Sequence, residues 1–219
     1  PAAIQDPAPP PIRHPLDAEA AADPALPKLA DSDAVAWSAL SELFQGEGAL
    51  TVLLRDHLIQ RLVTQVDTLD KASVPPAALA ARPLPGSLQV EQGEGGERIA
   101  AANAARYAPY VQAFTAIDPA AAAVAYKRFY PLIQQAYVDL GRPDGYFNDR
   151  LVSVIDHLLD TPELAQAPLV ERDERGRYRF VDATLQSRSI GQKALLRMDA
   201  AQARAVKQQL RAIRAAITR

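Results

Sequence analysis

The chain has 219 residues, no cysteine and a formal net charge of −2. Disulfides, cysteine-based zinc sites and a cysteine nucleophile are therefore excluded, and no global field draws the chain to nucleic acid or to a membrane surface. With 48% hydrophobic and 23% charged residues, it has the mix of a globular protein long enough to bury a core without staples.

The first 27 residues, PAAIQDPAPPPIRHPLDAEAAADPALP, hold eight prolines. Proline lacks the amide donor and fixes φ, so regular helix and internal strand are forbidden there. Residues 1–30 read as a proline-rich, disordered spacer, extended and partly polyproline-like. The sequence begins at Pro1 and its one methionine is Met198, as expected if an initiator methionine, or a longer signal or anchor, has been removed. No run approaches 18 apolar residues, so no membrane span is expected within these residues.

A single α-rich domain is expected over residues 31–219. Ser32 or Asp33 is placed to cap a first helix, whose apolar residues are Val35, Leu40, Leu43 and Phe44, with Gly46 and Gly48 stopping it. ALTVLLRDHLIQRLVTQVDTLDK reads as one amphipathic helix with Leu54, Leu58, Leu62, Val66 and Leu69 on one face. SLQVEQGEGGERIA reads as a hairpin around a glycine-rich turn. Three helices follow. The second has Asp118 as cap and Pro119 at the first helical position, and carries Pro131 inside, where a kink is expected. The third starts between Asp144 and Asp149 and stops at Thr161–Pro162–Glu163. PLVERDERGRYRFVD reads as a second hairpin by alternation. Two helices close the chain, around Ser189–Met198 and Asp199–Ile217. The fold class is thus mostly α, a bundle-like or orthogonal multi-helix domain with one or two small β-hairpins.

Charge is unevenly spread. Residues 1–100 carry 14 acids and 7 bases, whereas residues 188–219 carry 8 bases and the single acid Asp199. A solvated basic helix packed on a more acidic body is the plain reading of the end. An anionic partner is the sharper one, with Arg204, Lys207, Arg211 and Arg214 flanking the apolar stripe of the last helix.

The stretches RFYPLIQQAYVDLG, PDGYFNDRLVSVIDHLLDTPE and SIGQKALLRM resemble an uncharacterised bacterial family, over about residues 40–219. The run from Arg128 to Glu163 is the most specific part. The resemblance implies a single-pass inner-membrane anchor, a proline-rich spacer like this one, and an envelope-side domain. It supplies architecture and a periplasmic location, and no site residue.

Within Arg142–Glu163, helical spacing puts Asp149, Ser153, Asp156 and Asp160 along one line, with His157 beside them and Leu151, Val154, Ile155 and Leu158 on another face. Amphipathic packing alone demands such a separation, so the line reads first as a wet face. The catalytic alternative is a hydrolase using Asp149, Asp156 and His157. The chain's three histidines, His14, His57 and His157, do not suggest a convergent metal shell; HExxH, G-x-S-x-G and P-loop patterns are lacking. Neither metal nor cofactor is expected.

Nine of the twelve Tyr and Phe residues fall within 107–147, with arginines between them. They read as a core stitched by tyrosine hydroxyls, or as a Tyr/Arg-lined groove for a peptide or glycan, with Arg128, Tyr130, Tyr137, Tyr146, Asn148 and Arg150 as binding residues. The functional expectation is an interaction or scaffolding domain without catalysis, tethered to the inner membrane, whose partner is another envelope protein or a cell-wall component.

Overall fold

The computed structural model describes residues 10–17, 23–44, 48–74 and 79–218. Among them are α1 (Asp33–Leu43), α2 (Leu58–Thr68), β1 (Val90–Gly93), β2 (Gly96–Ile99), α3 (Ala104–Thr115), α4 (Pro119–Asp139), α5 (Phe147–Leu159), β3 (Val170–Arg172), β4 (Tyr178–Phe180), α6 (Ala183–Gln186), α7 (Ile190–Arg197) and α8 (Ala200–Ile217). The fold is mostly helical with two antiparallel two-stranded hairpins, as the pattern implies. No helix among the described residues is long and apolar enough to cross a membrane.

Local chemistry accounts for most boundaries. Asp118 accepts the Ala121 amide at 2.7 Å with Pro119 opening α4. Ser189 and Asp199 cap α7 and α8 in the same way, accepting from Gln192 and Gln202. The β1–β2 turn uses Gly95 and Gly96 at φ 86° and 132°, a region closed to most side chains. Helix α4 continues through Pro131 as one 21-residue element.

Two boundaries differ from expectation. The segment from Gly48 to Thr68 is not one helix. It opens as a 3₁₀ turn over Gly48–Val52 and then pairs, through Leu54 N–H to Ala80 O and Arg82 N–H to Val52 O, with the chain at 80–82. Helix α2 begins only after His57, which adopts a left-handed φ of 53°. Its first amides are capped from a distance: His57 and Leu58 both donate to the Asp33 carboxylate at 2.8 Å. Asp33 thus caps α2 rather than its own helix, while the Ser32 hydroxyl, buried, donates to Leu29 O.

Three apolar clusters carry the packing. The first joins α1, α2, α4 and the start of α5 around Leu58, Ile59, Phe129 and Phe147. The second joins α5, α7 and α8 around Val152, Ile155, Leu195 and Ile217, and Tyr126 and Leu151 touch both. The third lies beneath the hairpins, with Ile99, Val170, Phe180 and Leu196. Gly191 allows α7 to start hard against the end of α2: its N–H donates to Leu69 O, and a Cβ there would sit 2.8 Å from that oxygen.

Candidate functional site

The residues with the best binding chemistry gather where α4 meets the start of α5, and they grip the chain's own proline-rich lead. Asp149, in the first turn of α5, accepts the backbone N–H groups of Arg13 at 2.9 Å and His14 at 2.7 Å. The Tyr146 hydroxyl accepts the Leu16 N–H at 2.9 Å. Arg128 on α4 forks onto Asp23 at 2.8 and 3.0 Å. The side chains of Leu16 and Leu26 pack on the first apolar cluster. Prolines leave this segment unable to make helix, but its remaining amides are free to be taken by side chains. The described parts of the expected spacer, 10–17 and 23–30, therefore lie fastened to the helical body.

Asn148 is the hub. It is fully buried, and its Nδ2 donates both to His14 O at 2.9 Å and to Ile217 O at 3.2 Å. The Ile217 carbonyl is among the last of α8, which have no partner within the helix. The Asn148 Oδ1 accepts from the Tyr126 hydroxyl at 3.2 Å, and its backbone N–H donates to the Tyr130 hydroxyl at 3.3 Å. The Tyr130 hydroxyl in turn donates to Gln134. Burial pushes the Tyr130 phenol well above its ordinary range, and its hydrogen bond with Tyr146 adds to the shift. Burial does the same to Tyr126. These hydroxyls stay protonated and act as fixed hydrogen-bonding groups.

Arg150 points the other way, into α2. Its guanidinium meets Asp67 at 2.7 Å and both oxygens of Asp70 at 2.7 Å, and also donates to the Asp67 carbonyl at 2.6 Å. The Arg150 side chain is only 15% exposed. The bond to Arg150 holds the Asp70 carboxyl down at about 2, and the two carboxylates raise Arg150 above its usual range.

The candidate residues thus divide. Arg128, Tyr146, Asn148 and Asp149 converge on the lead. Tyr130 and Tyr137 are buried in the core, with Tyr137 edge-on to Phe147 at 5.3 Å, so they line no open groove. Arg150 belongs to a structural ion pair. Asp149, Asp156 and His157 do not converge: Asp156 forks onto Arg214 at 2.6 and 3.0 Å, and His157 Nε2 lies 2.9 Å from the Ser189 hydroxyl. A nucleophile must be reachable; Ser189 is 6% exposed and caps α7. Of the line expected to be a wet face, Ser153 and Asp160 are exposed, while Asp149 and Asp156, with His157 beside them, tie elements together. Among the described residues, no three His, Asp or Glu side chains are grouped as a metal ion requires.

The basic flank of α8 also divides. Arg204 and Arg211 are exposed, but Lys207 is buried with its Nζ on Thr161 O at 2.7 Å, and Arg214 is paired. A core cavity of about 340 Å³ between α1, α2, α4, α5 and α8 is lined by apolar side chains, with Tyr126 the one lining residue that carries a polar side-chain atom. Among the described residues it holds no acid or base.

A family model of unknown function, DUF3014, matches residues 58–214. The chain belongs to the DUF3014 family. A search of curated proteins and one of solved structures found no match. The DUF3014 match starts at Leu58, the first residue of α2, and ends at Arg214 in α8. Lead-holding Arg128, Tyr146, Asn148 and Asp149 lie inside it; the lead itself lies outside.

Two substitutions separate ties from core. Asp156→Ala removes a half-exposed ion pair, so unfolding in denaturant should change by less than about 1 kcal/mol. Leu158→Ala empties a buried position in the second cluster and should cost about 2–5 kcal/mol.

Proposed function

We propose that this DUF3014 chain is a non-catalytic interaction module. It is carried on a proline-rich lead, stands on the envelope side of the bacterial inner membrane, and is tethered there by a segment preceding Pro1. Its partner is another envelope protein or a cell-wall component. The observation that carries this reading is the grip on the lead. Asp149, Asn148, Tyr146 and Arg128, the side chains best suited to binding, hold Arg13, His14, Leu16 and Asp23 of the lead. A domain whose polar residues fix the exit path of its lead is built to be held in a set orientation. The sequence resemblance supports the membrane location.

The test is made with the intact gene product in its own cell. It should sediment with inner membranes, and protease added to spheroplasts should digest it. Recovery from the soluble cytoplasm, protected from that protease, would refute the location. A photo-reactive residue at Val124, 70% exposed on α4, should then give one discrete cross-linked species on the envelope side. Absence of any adduct from probes around the exposed surface would count against an interaction role.

A further inference from the structure

A second cavity, of about 320 Å³, lies beside the hairpins, between the end of α7, the first two turns of α8 and the 161–168 segment. Its apolar wall includes Ile99, Leu164, Leu196 and Met198, and three cations line it: Arg197, Arg204 and Lys207. Lys207 is accounted for, with its ammonium on Thr161 O and 3.9 Å from Glu163. Arg197 is not. It lies over the Phe180 ring at 5.3 Å, and among the described residues no carboxylate or carbonyl accepts from its guanidinium. Arg204, exposed on the first turns of α8, likewise has no such acceptor among them.

Three acids share the cavity lining, Glu91, Glu163 and Asp199. Asp199 is engaged by the α8 amide of Gln202, and Glu163 stands by Lys207. None of the three forms an ion pair with Arg197 or Arg204. Burial lowers the Arg197 pKa, and the Tyr107 phenol acts the other way.

Arg197 is half-buried; withdrawing a guanidinium partly from water without a counter-charge is unfavourable, and stacking on an aromatic ring returns only part of that. A methionine would fill the space over Phe180 without the penalty. An unpaired planar cation on an apolar-walled cavity of this size is matched instead by an oxyanion with a hydrocarbon body.

We propose that this cavity binds a small amphiphile with one oxyanion head. Arg197 takes the head, Arg204 stands at the exposed rim, and the hydrocarbon lies against Ile99, Leu164 and Met198. The assignment is independent of membrane location.

The test titrates the full chain with octanoate, octyl phosphate, octan-1-ol and octylammonium, read by calorimetry and by thermal melting. At least one of the two anions should bind and raise the melting temperature, with the alcohol and the amine at least tenfold weaker. Which anion binds tighter identifies the head as carboxylate or phosphate. Arg197→Met should weaken anion binding at least tenfold while melting at the same or a higher temperature. Should Arg197→Met fail to fold, Arg197→Lys keeps the charge and loses the planar fork, and should still weaken binding several-fold. Equal binding of octanol and octanoate, unchanged binding by a folded Arg197 variant, or no binding of either anion at millimolar concentration would each overturn the proposal.

Discussion

Arg150→Met is expected to lower the unfolding free energy by about 3–5 kcal/mol, the range for removing one member of a buried ion pair. Two effects combine. Asp67 and Asp70, at 12% and 21% side-chain exposure, lose their closest cation and keep the more exposed Arg142 at 3.7 Å and Lys71 at 3.2 Å, respectively. They also sit at the C-terminal end of α2, where the helix carbonyls already disfavour negative charge. Equilibrium unfolding in urea gives the number directly. Arg150→Lys should recover only part, since an ammonium cannot reach two carboxylates and the Asp67 carbonyl as a planar fork does. The pH dependence has a fixed sign. Asp70 is held at about 2 in the folded chain against 3.8 ordinarily. A carboxyl depressed on folding contributes stability that is full above the ordinary value and lost as pH falls through the folded one. The gap between wild type and Arg150→Met should therefore be constant above about pH 4 and narrow as pH falls towards 2. A gap unchanged across that window would show that the fork does not act through Asp70.

Asn148→Ala should cost about 2–4 kcal/mol, because each buried group left without a partner costs about 1–3 kcal/mol. The His14 and Ile217 carbonyls lose their donor and the Tyr126 hydroxyl loses its acceptor. For a chain of this size each kcal/mol lowers the melting midpoint by roughly 2–4 °C. The same variant should free the lead, so trypsin should cut at Arg13 several-fold faster. Asp149→Asn separates the two consequences. It replaces the charged acceptor of the Arg13 and His14 amides and leaves the Asn148 hub in place. It should speed cleavage at Arg13 with a smaller drop in melting temperature. Equal proteolysis of all three proteins would show that the lead is not held by these residues.

Much of the architecture was legible because its determinants are local. Gly95–Gly96 marked a hairpin, Asp118–Pro119 a helix start, and alternation in Arg177–Val181 a strand. The misses share a cause, which is distance along the chain. Helix α2 starts at Leu58 because Asp33, 25 residues earlier, reaches its amides. The prolines of the lead correctly forbid helix, but they say nothing about Asp149, 135 residues downstream of His14. Asp149, Asn148, Tyr146 and Arg128 were identifiable as polar side chains in an aromatic neighbourhood; their ligand, the lead, was not. One signal for the Arg150 pair was present. Two carboxylates, Asp67 and Asp70, at the end of α2 oppose the helix dipole, and such a placement calls for a cation from elsewhere in the fold.

One amide side chain, that of Asn148, clasps a carbonyl near each end of the described chain, at His14 and at Ile217. Tension applied between the lead and the last turn of α8 is thus met first at this side chain and at Asp149, which holds the Arg13 and His14 amides, before it reaches Leu16 and Ile217 in the apolar clusters. Such a pull loads a few hydrogen bonds to the strap before it loads the helical core.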